Sequence, residues 1–392
     1  MSYEPEPMLT RLRRFDLAGP VLVTAAVLLA LVGARLVHYD GDPTGFVQFG
    51  SSAAPVVAPP AGARIASEIG YDGQFFYVQA VDPLLRGRAR SALEVTNGEY
   101  RAQRVLYPAL ADLTAAGSED GLPWTMLLLN VAAALAATAA VAVFARSRGS
   151  SGWWALAVGL APGVVLAVLR DLSEPLAVAG MVSGLVAWRM RRPWVAGAAL
   201  TAAVLAREVM VLAVVAIAVE VLWRRFRRRD EPVVADALRA CVLPLSAFVA
   251  WQLYLLDRFD RLASSTTPPG QFRAPLAGLL DSADGAISDA SLGSAWDLGY
   301  LLLVVGAVVV AVLAARHGPG APAVAALCFG AVAVLVDYDA DHWNYTRLTA
   351  PLLVALVVQG VEARDRAALA VPALAACLTL LIPVAFSAGA GA

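Results

Sequence analysis

The chain has 392 residues, of which 59% are hydrophobic and 16% are charged, whereas soluble globular domains carry roughly 25% charged residues. Thirty basic residues against thirty-one acidic ones give a net charge of -1, which excludes the basic surface that nucleic-acid binding requires. The apolar residues gather in eleven runs, most of them near the roughly twenty residues with which a helix crosses a bilayer. These figures predict a multi-span membrane protein.

The eleven runs predict one all-α transmembrane domain over residues 1–392. We expect its helices at residues 18–37, 123–145, 153–169, 174–188, 193–206, 208–223, 236–256, 295–315, 321–336, 348–361 and 367–386. The first run follows three arginines as in a signal peptide, but no small-residue cleavage site follows it, which favours a retained anchor. The three cysteines lie inside apolar runs without CxxC spacing, so neither a disulfide framework nor a thiolate metal site is expected.

The polar junctions between the runs alternate in charge. When acidic residues at the ends of the runs are included, those on one side hold sixteen arginines and nine acidic residues, while those on the other side hold twelve arginines and twenty-two acidic residues. The positive-inside rule places the first side, with the N-terminus, in the cytoplasm. Every basic residue is Arg, which is typical of a GC-rich bacterial genome, so we expect a multi-pass protein of a bacterial plasma membrane.

This orientation places two long connections outside the cell, at residues 38–122 and 257–294. Loops of this length usually carry function, so we expect an extracytoplasmic site. Two aromatic, partly amphipathic stretches of the first outer loop, Tyr71 to Leu85 and Tyr100 to Leu113, predict helices that lie along the membrane interface.

Charged residues also occupy the short outer turns at the ends of the apolar runs. Ionisable groups are costly there and are therefore candidates for function. They are Arg170, Asp171, Glu174, Arg207, Glu208, Asp337, Asp339, Asp341 and Arg347. Sequence neighbours such as Arg207 and Glu208 could instead be helix-end pairs that reach to the interface. The inner turns carry Arg with few acids, whereas the outer turns pair both signs, which favours a common outer site.

The most specific local sequence is the string from Tyr71 to Ala80, YDGQFFYVQA. An acidic residue among aromatic residues near the membrane is partly desolvated, which raises its basicity, so Asp72 is the candidate general base. Tyr71, Gln74 and Tyr77 of the same string are candidate supporting residues. The alternative is an interfacial helix with an aromatic belt, in which Asp72 is only the N-terminal cap.

Two further sets are candidate ligand-binding residues. Arg101 and Arg104 are three residues apart, which places them on one face of a helix and predicts a phosphate site, or equally a site for lipid headgroups without catalysis. The three aspartates between residues 337 and 341, with His342, could bind a divalent cation through oxygen ligands, although a histidine in an acidic loop is more often simply solvated. The sequence indicates no other cofactor.

With these residues in place, the chain resembles the GT-C superfamily of integral-membrane glycosyltransferases, in its mannosyltransferase-like members. The resemblance covers the plan of most of the chain: a first span, a large outer loop with an early carboxylate, many further spans and charged outer turns. It implies that a sugar is transferred from a polyprenyl-phosphate donor to a hydroxyl of a lipid or glycan acceptor at the outer face.

The resemblance also implies roles for individual residues. The string around Asp72 looks like the aromatic-flanked Asp motif of these enzymes, which implies the catalytic base. Arg207 in Leu205-Ala-Arg-Glu208 and Arg347 before Leu348-Thr-Ala-Pro351 are similar to arginines near the lipid phosphate. We expect Arg170, Arg104 and Arg101 to assist them, with Glu208, Asp171 and Glu174 orienting the arginines.

The chain departs from the family in one respect, and two other classes of protein remain open. Many members carry a paired acidic motif in this loop. Here Asp72 stands alone, and the next acidic residue, Asp82, lies ten residues further on. A transporter or flippase for a lipid-linked or anionic substrate is the main alternative, although transporters place their binding groups near the midplane. An enzyme that moves an acyl or phospholipid group would use the same arginines and need a base such as His38 or His342.

Overall fold

The computed structural model describes residues 8–227, 233–263, 272–289, 291–316, 318–337 and 344–381. The chain is mostly helical in these ranges. The α-helices are α1 Met8–His38, α2 Thr44–Val47, α3 Ala54–Val57, α4 Gly73–Val81, α5 Arg88–Glu94, α6 Gly98–Arg101, α7 Leu106–Ala115, α8 Leu122–Ser147, α9 Leu156–Gly159, α10 Pro162–Val168, α11 Glu174–Arg189, α12 Pro193–Ala206, α13 Val211–Phe226, α14 Val233–Phe259, α15 Ala277–Asp289, α16 Leu292–Arg316, α17 Ala321–Leu335, α18 Asn344–Ala363 and α19 Arg366–Thr379.

Helices occupy all eleven predicted positions, and five of them are long and apolar enough to cross a membrane. These five segments are Asp16–His38, Leu122–Ser147, Val234–Phe259, Gly293–Arg316 and Tyr345–Ala363. Large apolar side chains such as Leu22, Leu128 and Leu302 are more than half exposed on these helices. Exposed apolar faces of this extent are typical of contact with lipid. The all-α expectation is confirmed, while the count of eleven spans stays a prediction.

Prolines fix the starts of several helices. α8, α11, α12 and α17 each carry a proline at their first or second position. A proline is tolerated there because the first backbone N–H groups of a helix have no partner within the helix. The short polar junctions before these prolines are therefore points at which the chain reverses direction.

The predicted span at residues 153–169 is not one helix. It consists of a 3-10 turn Gly152–Ala155, followed by α9 and α10. Pro162 ends the first part because it forces extended backbone on Ala161 (ψ 132°). The break is buried, and the Leu160 carbonyl that it leaves free accepts a hydrogen bond from Thr379 Oγ1 at 2.7 Å. Irregular backbone within a bundle is tolerated where protein groups satisfy it in this way.

The first outer loop forms a second hydrophobic core rather than a pair of surface helices. Val47, Phe49, Tyr77 and Leu93 are fully buried, packed with residues from α7, α8 and α14. α4 is buried on nearly every side, so it does not lie along the membrane as an amphipathic helix. The stretch at residues 43–60 contains α2 and α3.

A short parallel pair of strands closes this loop core. β1 (Phe49–Gly50) pairs with β2 (Ile65–Ser67), with Phe49 opposite Ile65 and Gly50 opposite Ser67. The helices of the loop pack on one another and on α8 and α14. The loop therefore covers one end of the bundle as a folded unit.

The charged junctions separate to the two ends of the bundle. α11 carries Glu174 at its first residue and Arg189 at its last; at 1.5 Å per residue these lie roughly 22 Å apart. Residues around Arg189 also meet the ends of other helices: Arg148 donates to the Arg189 carbonyl at 2.9 Å, and Arg364 donates to the Arg148 carbonyl at 3.2 Å. The junctions that carry Arg148, Arg189 and Arg364 therefore share one end.

Candidate functional site

The charged residues of the outer turns and the first loop meet in one network at the end opposite Arg189. Arg347 lies at its centre: its Nη2 is 3.2 Å from Asp72 Oδ2, and its Nε is 3.0 Å from Glu174 Oε1. Its Nη1 donates to the Tyr71 hydroxyl at 3.1 Å. Glu174 also pairs with Arg207. Four separate stretches of sequence therefore converge on one site.

Asp72 is held between two arginines. Arg101 Nη1 lies 2.9 Å from Oδ1, opposite the contact of Arg347 with Oδ2, and the Asp72 side chain is 30% exposed. Asp72 precedes α4 but makes no side-chain capping hydrogen bond, so the alternative that it is only a helix cap is wrong. Its two oxygens face the arginines and an opening to solvent.

The surroundings of Asp72 reverse the expected shift in its basicity. Burial alone would raise the pKa of Asp72, but the neighbouring charges of Arg347 and Arg101 outweigh burial and lower it below its ordinary value. The expectation that desolvation dominates is therefore wrong for the unliganded protein.

Arg104 and Glu208 form a second pair beside this network. Both Arg104 Nε and Nη2 lie 3.1 Å from a Glu208 oxygen, in the bidentate arrangement that fixes both groups. Burial would raise the pKa of Glu208, but Arg104 and the hydrogen bond from it lower the pKa to about 2. α6 ends at Arg101, so Arg101 and Arg104 do not share one helical face; both reach the site nevertheless.

Sequence neighbours do not pair with each other in the outer turns. Arg207 pairs with Glu174, and Glu208 pairs with Arg104. Arg207 is 4% exposed, so it does not reach to the interface. Arg170 lies over the Tyr71 ring with its guanidinium 4.4 Å from the centroid. These two pairs between different elements join the outer turns into one site. Glu174 and Glu208 each hold an arginine in place, which fits the orienting role predicted for them.

Asp171 does not take the orienting role that the sequence predicted. It is fully buried, and neither of its carboxyl oxygens has a hydrogen-bond partner within the described residues. Burial raises the pKa of Asp171 well above its ordinary value. Its backbone has φ +48°, where the chain leaves α10.

We expect Asp171→Asn to stabilise the protein at pH 7. The raised pKa means that Asp171 costs stability as the pH increases above the ordinary carboxyl range, and Asn removes this cost while tolerating positive φ. The expected gain is about 1 kcal/mol. It is measured as the Tm of the variant minus that of the wild type, which should be positive at pH 7 and smaller at pH 4.5. A lower Tm at pH 7 would contradict this account of Asp171.

Gln74 and Tyr77 lie in the loop core and not at the arginines. Gln74 Oε1 accepts from the Gly50 N–H and Nε2 donates to the Ile69 carbonyl, both at 3.0 Å. Tyr77 packs edge-on against Phe49, and burial raises the pKa of its hydroxyl to about 12. Both residues shape the loop that presents Asp72.

The predicted cation site is only partly within the described residues. Asp337 pairs with Arg273 at 3.1 Å, while Asp339, Asp341 and His342 lie outside the described ranges. Among the residues that the structure describes, no group of three or more His, Cys, Asp or Glu side chains is arranged to hold a metal ion. Asp337 is thus an ion-pair partner of the second outer loop.

Close backbone packing brings the parts of the site together. A Cβ at Gly163 of α10 would collide with the Thr346 carbonyl, so the glycine lets α18 approach and positions Arg347. A Cβ at Gly73 would collide with the carbonyls of Val47 and Arg170, so α4 starts directly against the turn after α10. The two glycines hold Asp72 and Arg347 at the same end.

Two residues of this site, Phe75 and Arg35, were not predicted from the sequence. The Arg101 guanidinium lies 3.6 Å from the centroid of the Phe75 ring, which holds the arginine over α4. Arg35, at the end of α1, is close enough to Arg170 for the two charges to interact. A single arginine at the outer end of the first apolar run is the signal that could have identified Arg35.

The site carries a net positive charge. Six arginines lie in the site, at positions 35, 101, 104, 170, 207 and 347. The carboxylates are Asp72, Glu174, Glu208 and Asp171, so the balance stays positive with all four counted as ionised, at 6 − 4 = +2. Buried arginines with fixed partners form a preorganised site for an anion. No protein-family model, curated protein or solved structure matches this chain, so the arguments about its function rest on this geometry.

Proposed function

We propose that the protein is a membrane glycosyltransferase of the GT-C type, which transfers a sugar from a polyprenyl-phosphate donor to an acceptor hydroxyl, with Asp72 as general base. The observation that carries the proposal is the position of Asp72 between Arg101 and Arg347, in a net-positive cluster at the loop-covered end of the bundle. A carboxylate and phosphate-binding arginines in one site are the groups that such a transfer needs.

The arginines bind the donor phosphate. Arg347 and Arg101 each hold one oxygen of Asp72, and a phosphate placed between them offers further charged oxygen acceptors to both guanidinium groups. Glu174, which also pairs with Arg207, holds Arg347 from behind and limits its movement. The lipid phosphate accumulates charge as it leaves, and fixed arginines stabilise that charge.

Asp72 then accepts the proton of the acceptor. The hydroxyl oxygen forms a bond to the anomeric carbon, the bond from that carbon to the phosphate oxygen breaks, and the polyprenyl phosphate leaves with the electron pair. The hydroxyl proton passes to Asp72. The arginines that lower the pKa of Asp72 are now shared with the phosphate, so donor binding raises the basicity of Asp72 at the moment when it is needed.

A lipid-linked donor fits the position of the site. The network lies at the ends of apolar helices, where a phosphate at the membrane surface can reach the arginines while its lipid stays in the bilayer. The charge pattern of the junctions predicts that this end faces away from the cytoplasm, where nucleotide sugars are made.

The proposal is tested with the purified full-length protein and a panel of polyprenyl-phosphate sugars. We expect one donor to be consumed, with release of polyprenyl phosphate and a matching mass increase on a lipid or glycan acceptor. The control is Asp112→Asn, a variant of the same loop outside the arginine network. A donor that is bound but recovered intact, and moved across the bilayer of proteoliposomes, would instead indicate the transporter.

A further inference from the structure

A second arginine-rich site lies at the opposite end of the bundle. A cavity of about 180 Å³ is lined by Arg148, Arg189, Arg191 and Arg224, together with Glu220 and Asp236. We name it the arginine cavity. It is separated from Asp72 by the length of α11, so it is independent of the proposed sugar-transfer site.

The walls of the arginine cavity carry a net positive charge. Glu220 pairs with Arg189 and Arg224 at 2.8 and 2.6 Å, and Arg189 also pairs with Glu362. Asp236 pairs with Arg239. The cavity itself is lined by four arginines and two carboxylates, so its lining residues carry 4 − 2 = +2. This charge favours an anion in the cavity.

Glu220 makes this site rigid. It is 1% exposed, and besides the two arginines it accepts hydrogen bonds from Trp188 Nε1 at 3.0 Å and from the Ala321 N–H at 2.8 Å. The guanidinium of Arg189 is therefore fixed by both Glu220 and Glu362.

The aromatic residues around the cavity place it at the level of lipid headgroups. Trp194, in the first turn of α12, is 66% exposed, and Trp223, in the last turn of α13, is 44% exposed. Each directly neighbours a cavity-lining segment, and exposed tryptophans at helix ends are typical of the membrane–water interface. A phosphate at this depth is carried by a lipid.

We propose that the arginine cavity binds the phosphate of an anionic lipid headgroup. The volume corresponds to roughly six water molecules at about 30 Å³ each, which is enough for a phosphate and part of its glycerol. Planar guanidinium groups bind phosphate oxygens in pairs. The positive-inside rule alone would place arginines at this end. The proposed role in phosphate binding therefore applies to the arginines that line the cavity and not to their neighbours.

Two pairs of neighbouring arginines allow a test that distinguishes a specific binding site from general electrostatic attraction. Arg191 and Arg224 line the cavity, whereas Arg192 and Arg225 follow them directly, are exposed and do not line it. The variants Arg191→Gln/Arg224→Gln and Arg192→Gln/Arg225→Gln remove the same charge from the same end. Binding of dioleoyl phosphatidic acid in mixed neutral detergent micelles is measured by thermal shift, with dioleoyl phosphatidylcholine and inorganic phosphate as separate arms.

We expect the concentration of phosphatidic acid at half-saturation to increase at least tenfold in the lining variant and less than twofold in the neighbouring variant. Arg191→Gln alone, which leaves the Glu220 pairs intact, serves if the double variant fails to fold, and the same direction is expected. Equal losses in both variants, or no stabilisation by phosphatidic acid beyond phosphatidylcholine, would overturn the proposal. Stabilisation by inorganic phosphate equal to that by phosphatidic acid would show that the cavity binds free phosphate and would overturn the proposal of a lipid ligand.

Discussion

Asp72→Asn is expected to abolish sugar transfer in protein that is folded and normally inserted. Asn keeps the shape of the side chain but cannot accept the proton of the acceptor hydroxyl. Removing a general base typically costs 10²–10⁴-fold in rate, so we expect kcat to decrease by roughly 10³-fold. Donor affinity should be kept or increased, because Arg101 and Arg347 lose a competing carboxylate.

The comparison that makes this result specific is Asp112→Asn in α7, which is expected to keep wild-type kcat. Both variants are matched in side-chain change and lie in the same loop. Donor binding measured on the Asp72 variant separates loss of chemistry from loss of the site. Transfer at more than a tenth of the wild-type rate would remove Asp72 from the role of base.

Glu174→Gln is expected to give the largest loss of stability in the site. Glu174 is 1% exposed and holds both Arg207 and Arg347, which are 4% and 8% exposed. Removing the charge leaves the buried Arg207 without its carboxylate and leaves Arg347 with Asp72 alone, and breaking a buried ion pair in this way costs about 3–5 kcal/mol. The unfolding midpoint in denaturant measures the change.

Glu119→Gln is the matched control for this loss. Glu119 pairs with Arg88, but both side chains are about half exposed, and exposed pairs contribute little to stability. We also expect Glu174→Gln combined with Arg207→Gln to destabilise by less than the sum of the single variants, because the double variant removes one stranded charge. Strict additivity would show that the two side chains are not coupled.

The sequence predicted the site because ionisable residues at the ends of apolar runs are few and costly. Asp72, Arg207 and Arg347 are far apart in the chain, yet the alternation of the junctions already placed them at one end, and the structure joins them through Glu174. The pattern of apolar runs likewise located the helices. What these signals share is a strong energetic penalty for any other arrangement.

The partners within the site could not be predicted from the sequence. Neighbouring charges such as Arg207 and Glu208 pair with groups on other elements because the 3-10 turn after α12 directs their side chains apart. The lowered pKa of Asp72 depends on Arg101, which lies 29 residues along the chain. The buried loop core also escaped prediction, because Gln74 and Gln79 give α4 a partly amphipathic sequence, whereas both side chains are buried and hydrogen-bonded within the loop.

We propose that, when the donor binds, the arginines that hold Asp72 turn to the donor phosphate and leave Asp72 to accept a proton. The most direct measurement is the pH dependence of kcat/KM and of single-turnover kcat, between pH 4 and 8, with the donor that is consumed. The first reports groups of the free protein and the second those of the donor complex.

In the free protein the pKa of Asp72 is lowered, so Asp72 is ionised throughout this range, and its protonation should not reduce kcat/KM. Donor binding weakens the arginine contacts and raises this pKa, so kcat should decrease at a higher pH than kcat/KM as the solution is made acidic. Identical acid limbs in the two profiles, or a kcat limb at lower pH, would contradict the account.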